Sequence, residues 1–145
     1  MAGLTAQGCR LFWSTSTAVS TASSCLVGDV TDISGPSGSK GEIDVTGLGS
    51  SAKEYLLGLP DFGEISFNIN YTAGDVAQNN LFADYSLAVP VKRRGVIKLS
   101  DTAVHALMFK GYAKSFQWTM AKEDAIKAAC SIRITGPATL TTTIA

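Results

Sequence analysis

Hydrophobic and polar residues alternate strictly over much of the chain. Ile65, Phe67, Ile69 and Tyr71 are interleaved with Glu64, Ser66, Asn68 and Asn70, and this period of two predicts a strand with one buried and one wet face. Lys114, Phe116, Trp118 and Met120 alternate with Ser115, Gln117, Thr119 and Ala121. Ile126, Ala128, Cys130, Ile132 and Ile134 alternate in the same way with Lys127, Ala129, Ser131, Arg133 and Thr135. The short polar segment Ala121-Lys122-Glu123-Asp124 between these two runs predicts an antiparallel hairpin. Val89–Leu99 and Ala103–Tyr112 predict another pair, joined through Ser100-Asp101-Thr102, with a bulge or kink at Arg93-Arg94-Gly95. Weaker strand patterns run over Cys9–Ser14 and Ser24–Ile33. A helix is predicted over 75–87, where Ala77, Leu81 and Tyr85 fall on one stripe with Phe82 beside them. Asp75 is its expected N-cap, and Pro90 follows its end.

Residues 34–63 break this pattern. Gly35-Pro36-Ser37-Gly38 and Gly47-Leu48-Gly49-Ser50-Ser51 punctuate them, and no long alternating run appears. Insertions of this length in a compact domain are usually functional or disordered. Ile43, Val45, Leu48, Tyr55, Leu56, Leu57 and Leu59 argue against disorder, because such side chains are costly to expose unless they meet a surface. Two readings follow: a projecting arm or hairpin ordered by a partner, or a lid folded over its own core.

The chain has 145 residues, 46% of them hydrophobic and 17% charged. That size predicts one domain over 1–145, and the composition is too apolar for a disordered chain. Twelve basic and twelve acidic residues cancel, so the overall positive field of a tight nucleic-acid binder is missing. The cancellation hides a partition. Up to Pro90 there are nine acidic residues against three basic, and from Val91 onward nine basic against three acidic. Either strands from the two halves pair and mix their charges, or the surface is polarised and steers identical copies head to tail. Neither a membrane span nor an export signal is read from the chain. Cys9, Cys25 and Cys130 lie far apart, with none of the close pairs of zinc or redox motifs, which fits a reducing cytoplasm.

Catalytic constellations are not found. Gly35-Pro36-Ser37-Gly38-Ser39-Lys40-Gly41 resembles a phosphate loop at a glance, but the Lys is preceded by Ser39 and followed by Gly41 instead of sitting between Gly and Ser/Thr. His105 is the lone histidine, so there is no metal site built on two imidazoles and no identified nucleophile for it to serve. Glu123 and Asp124 sit in a polar turn, where nothing pushes their pKa values apart for acid-base work. Trp13 and Trp118, with Phe12 and Phe116, could stack on single strands, but basic residues are not interleaved around both clusters. At least one aromatic of each pair is expected in the core. No catalytic residue, cofactor or metal is expected.

Several segments carry a family resemblance. Val30-Thr31-Asp32-Ile33-Ser34-Gly35-Pro36, then Glu42-Ile43-Asp44-Val45-Thr46, then Leu57-Gly58-Leu59-Pro60-Asp61-Phe62-Gly63-Glu64-Ile65-Ser66-Phe67 resemble the major tail tube proteins of bacteriophages with long flexible tails. Phe109–Phe116 and Ile132–Leu140 are similar to that family's late strands. The resemblance covers about Val30 to Thr141, and Gln7–Ser24 is less characteristic.

The resemblance implies a mainly β fold: an antiparallel β-sandwich or barrel-like domain with one flanking helix and a long projecting loop or hairpin. It implies a structural subunit, not an enzyme, that self-assembles into stacked hexameric rings forming a channel for genome delivery. The partners implied are further copies of itself, tail-tip initiator and tape measure proteins, and double-stranded DNA in non-specific transit, within a virion assembled in the host cytoplasm. Residues 34–63 become an inter-subunit arm, with Ile43, Asp44, Val45, Thr46, Tyr55, Leu56 and Leu57 at the interface. Passing DNA must not stick, so the wall should lack dense positive charge. Glu64, Ser66, Asn68 and Asn70 suit such a lumen, whereas Lys127 and Arg133 would be a difficulty on a luminal face. The competing reading is a non-catalytic β-sandwich module of a virion that binds a receptor or carbohydrate through its two tryptophans.

Overall fold

The computed structural model describes residues 7–14, 25–100 and 105–141. The expected turn residues Asp101 and Thr102, the start of the strand expected from Ala103, and the Ser/Thr-rich stretch up to Ser24 lie largely or wholly outside these. The elements run β1 (Arg10–Ser14), β2 (Leu26–Val27), β3 (Val30–Ser34), β4 (Ser39–Asp44), β5 (Tyr55–Asp61), β6 (Glu64–Asn70), α1 (Val76–Ser86), β7 (Arg93–Lys98), β8 (Ala106–Thr119), β9 (Lys127–Ile134) and β10 (Thr139–Thr141).

Eight strands form one antiparallel sheet in the order β2-β1-β7-β8-β9-β6-β3, with β10 on β8. The long strand β8 organises it. Its first half pairs with β7 on one edge and β10 on the other, and its second half carries β9 on the edge that β10 leaves. Leu11 and Trp13 from one end of the strand order share a single core with Ile65, Phe67, Ile69, Ala128, Cys130 and Ile132 from the other. The sheet therefore bends over on itself to enclose a sandwich-like core, as the mainly β expectation required.

The strands expected over 103–112 and 114–120 are one continuous strand. A register shift between Ala113 and Ser115 inserts an extra residue and flips the inward phase, so that Phe109 and Gly111 are buried before it and Phe116 after it. Each half alternates cleanly, and for that reason the pattern reads as two strands. The bulge expected at Arg93-Arg94-Gly95 is absent, and β7 keeps register with β8 from Arg93↔Gly111 to Lys98↔Ala106. Gly95 has a different purpose: it stands opposite Phe109, whose ring occupies the space a Cβ would need. Gly95→Ala should cost about 1–3 kcal/mol through overpacking. A urea midpoint equal to that of the unchanged chain would show that the ring moves aside freely.

The expected strand over 24–33 is likewise split. Gly28-Asp29, with Asp29 at a positive φ of 55°, turns the chain so that β2 joins β1 at one end of the sheet and β3 joins β6 at the other. Val89–Lys92, Met120 and Ile126 fall outside the strands expected to contain them, and Tyr71 lies one residue past β6.

The helix forms where expected. Asp75 caps it, accepting the Gln78 amide hydrogen bond at 3.1 Å. Its seating differs from the apolar stripe. Ala77 and Leu81 are buried, but Phe82 and Tyr85 are exposed, and the other buried positions are Gln78 and Asp84. Gln78 Nε2 donates to the carbonyls of Gly28 (2.7 Å) and Asn70 (3.2 Å), and its Oε1 accepts from the Thr72 amide (2.9 Å). A buried amide with its capacity met in this way ties the helix to the β2–β3 turn and the end of β6. Hydrophobic periodicity gives no weight to such residues.

Candidate functional site

Two surfaces separate chemically: a projecting apolar hairpin and a wet face of the main sheet. β4 and β5 pair with each other in a sheet of their own, and both pack chiefly on one another instead of on the body. The hairpin therefore does not close over the core as a lid. Ile43, Val45, Leu48, Tyr55, Leu56, Leu57 and Leu59 are all exposed, Leu57 at 63% and Leu59 at 91%.

Register divides these residues between two faces, because directly paired residues project to the same side. Glu42 pairs with Leu57 and Asp44 with Tyr55, giving one face that mixes carboxylates with apolar groups. Ile43 pairs with Leu56, and Val45 lies on their side, giving a second face that is mainly apolar. Thr46 closes the hairpin: its hydroxyl accepts from the Glu54 amide (2.9 Å), and its own amide donates to Asp44 (2.9 Å). The Thr46 hydroxyl first, and then the Thr46 amide, hold Asp44 below the usual carboxylate range, with Lys53 contributing less. Among the expected interface residues, Asp44 and Thr46 thus also shape the hairpin itself.

The root of the hairpin is pinned. Gly35 and Gly63 both adopt positive φ, 104° and 72°, where the chain leaves the body and returns. A side chain at Gly63 would run into the carbonyl of Ser37, and one at Gly35 into that of Glu64. Arg133 Nη2 on β9 reaches both oxygens of Asp61, at 2.8 and 3.0 Å, across the root. The Gly63 amide first, and then Arg133, hold Asp61 below the ordinary carboxylate pKa.

The wet face spans β3, β6, β9 and β8. Ser34, Ser66, Ser131 and Ser115 stand side by side across four strands, with Ser115 Oγ and Ser131 Oγ 2.6 Å apart. The next row holds Asp32, Asn68, Ala129 and Gln117. Of the four residues expected here, Ser66 and Asn68 are exposed. Glu64 is half-buried and paired with Lys114, and Asn70 is half-buried with its side-chain oxygen enclosed. Lys127 and Arg133 do share this face, but both are neutralised, Lys127 by Asp124 at 3.1 Å and Arg133 by Asp61.

Trp13 is fully buried and its Nε1–H donates to Asp84 (2.8 Å), so it is no ligand platform. Trp118 is half-buried and enclosed by the rings of Tyr71, Phe116 and Phe82 at 4.7, 5.0 and 5.8 Å. Both tryptophans on which the carbohydrate-binding alternative depended are therefore occupied in packing. His105 precedes β8, and its carbonyl accepts from the Leu99 amide (2.9 Å). Burial pushes the Cys130 thiol up to about 12, which leaves it almost without thiolate at neutral pH. In an iodoacetamide time course at pH 7.5, Cys130 should stay unmodified until denaturant is added. Labelling of Cys130 in the native state would contradict this burial.

Comparison with known proteins gives a consistent result. A family model described as phage tail tube, TTP, lambda-like matches residues 2–88. Among solved structures, the SPP1 tail tube superposes with a TM-score of 0.70 at 14% identity, covering 99% of this chain and 81% of that one. The tail of an empty GTA particle, refined with C6 symmetry, gives 0.71 at 12% identity, with 96% and 99% covered. The sheath-tube complex of the extracellular contractile injection system PVC gives 0.70 at 11% identity, with 96% and 91% covered. No curated protein matches the chain in sequence.

Proposed function

The chain belongs to the lambda-like family of phage tail tube proteins, structural components of the virion, and from that premise we propose how this subunit builds its tube. It is one domain that is incomplete alone. Residues 34–63 act as an inter-subunit arm, and Ile43, Asp44, Val45, Thr46, Tyr55, Leu56 and Leu57 make its contacts. The single observation that carries this is a hairpin with apolar residues exposed on both faces and packed chiefly on itself, because exposed apolar surface of that extent marks an interaction site.

Copies of the subunit close into hexameric rings that stack into a channel. The C6 symmetry of the GTA tail, which shares the fold, supports that number. Edges such as β3, which has β6 on one side only, find strand partners on the next copy, and closure of the ring removes them. The face of Ser66 and Asn68 lines the lumen, with Glu64 and Asn70 at its margins. Its serine row and its self-neutralised Lys127 and Arg133 support this, since a wall without net positive charge lets DNA slide without releasing counterions to bind it. A tail-tip initiator and a tape measure protein set where the tube starts and how long it grows, assembly takes place in the host cytoplasm, and the subunit carries no catalytic activity.

Electron microscopy of the purified protein at rising concentration tests this directly, with hollow tubes of constant diameter expected. Persistent monomers at high concentration, even with added initiator, would count against it.

A further inference from the structure

Four cations crowd one depression of the body. Lys92, Arg93, Arg94 and Lys110 line a hollow of about 130 Å³ where β7 begins against β8. Arg94 and Lys110 are direct cross-strand partners, an arrangement of like charges that is unfavourable by itself. Arg93 is engaged by Asp84 at 3.2 Å. Among the described residues, Lys92, Arg94 and Lys110 enter no ion pair. Exposed Val89 and Val91 lie immediately before the cluster in the chain.

The strands of the basic half, β7, β8 and β9, stand together in the sheet and are flanked by strands of the acidic half, and the ion pairs Arg93–Asp84, Lys114–Glu64 and Arg133–Asp61 mix part of the charge partition. This cluster is what mixing leaves over. Its complement is also on the molecule. The mixed face of the hairpin presents Glu42 and Asp44 beside Tyr55 and Leu57, with Lys53 3.6 Å from Asp44, so carboxylates and apolar groups stand together there, as cations line the hollow and exposed Val89 and Val91 precede it in the chain.

We propose that the hollow formed by Lys92, Arg94 and Lys110 receives the Glu42/Asp44 face of the arm from a second copy of this chain. This rests on the tube reading and deepens it by naming the surface on which the arm docks. The two patches are different and lie on different elements, so the contact is heterologous and repeats from copy to copy instead of closing a two-fold dimer. A carboxylate pair meeting three cations at a partly solvated surface also sets register and speeds encounter, and salt weakens it.

The test is charge reversal with restoration. Arg94→Glu with Lys110→Glu, and separately Glu42→Lys with Asp44→Lys, should each raise the concentration needed for tube formation at least tenfold. A chain carrying all four changes should recover most of that loss. Circular dichroism checks folding, and if the reversed cations unfold the chain, Lys92→Gln with Lys110→Gln should still flatten the salt dependence of assembly. If the unchanged chain forms tubes and the reversed chains form them equally well, the docking proposal fails and the tube reading stands. If the unchanged chain never assembles, the tube reading itself fails. Cation variants that lose DNA retention while the acidic variants assemble normally would assign the hollow to a polyanion and overturn the proposal.

Discussion

Replacing Leu56 and Leu57 together with aspartate yields a folded monomer that no longer forms tubes. The two residues are neighbours on β5 but project to opposite faces, Leu56 beside Ile43 and Leu57 beside Glu42. One double substitution therefore spoils both surfaces of the arm. Fully burying a leucine contributes about 1.5–3 kcal/mol, and an aspartate in its place must also be desolvated. Losing two such contributions from every subunit contact weakens that contact by roughly a hundredfold or more, and a polymer compounds the loss at each joint. The fold should survive, because β4 and β5 contribute nothing to the buried core. Size-exclusion chromatography with light scattering, alongside electron microscopy, reads both parts. Tubes of normal appearance from this variant would remove the arm from assembly altogether.

What the sequence disclosed, and what it withheld, follows from the range of each interaction. The alternation of Ile65, Phe67 and Ile69, and of Ala128, Cys130, Ile132 and Ile134, is local, and each of those residues is buried. The projecting hairpin was legible by contrast, as apolar residues without a period among glycines. The single strand β8 was not, because one inserted residue near Lys114 makes its two halves alternate out of phase. The turn at Gly28-Asp29 was hidden by its brevity, although it carries the chain from one end of the sheet to the other. Pairings across long separations were beyond reach. Arg133 and Asp61 are far apart in sequence yet meet at the arm's root, and Lys110 joins Arg94 only through the register of β7 on β8. The wet face was foreseen along β6, but the serine row crossing four strands needed that register as well.

Asp84→Ala should be strongly destabilising for a change at a single polar residue. The carboxylate lies beneath the helix, 8% exposed, and it accepts from Trp13 Nε1 at 2.8 Å on one oxygen and from Arg93 Nη2 at 3.2 Å on the other. It thus holds α1 to β1 and to the start of β7 at once. Removing it leaves an indole N–H without its acceptor in the core and takes one counter-charge from a partly buried guanidinium. Breaking such a pair from one side costs about 3–5 kcal/mol, which in a chain of this length lowers Tm by roughly 10 °C or more. Arg93 also sits among the cations that line the hollow at the start of β7. Thermal melting of Asp84→Ala, with Arg93→Met and the double variant completing a cycle, separates the terms. The double variant should be less damaged than the sum of the singles, because each single change already loses the one Asp84–Arg93 pair. Strict additivity would mean that Asp84 and Arg93 act independently and that the helix is seated by Gln78 and its apolar contacts alone.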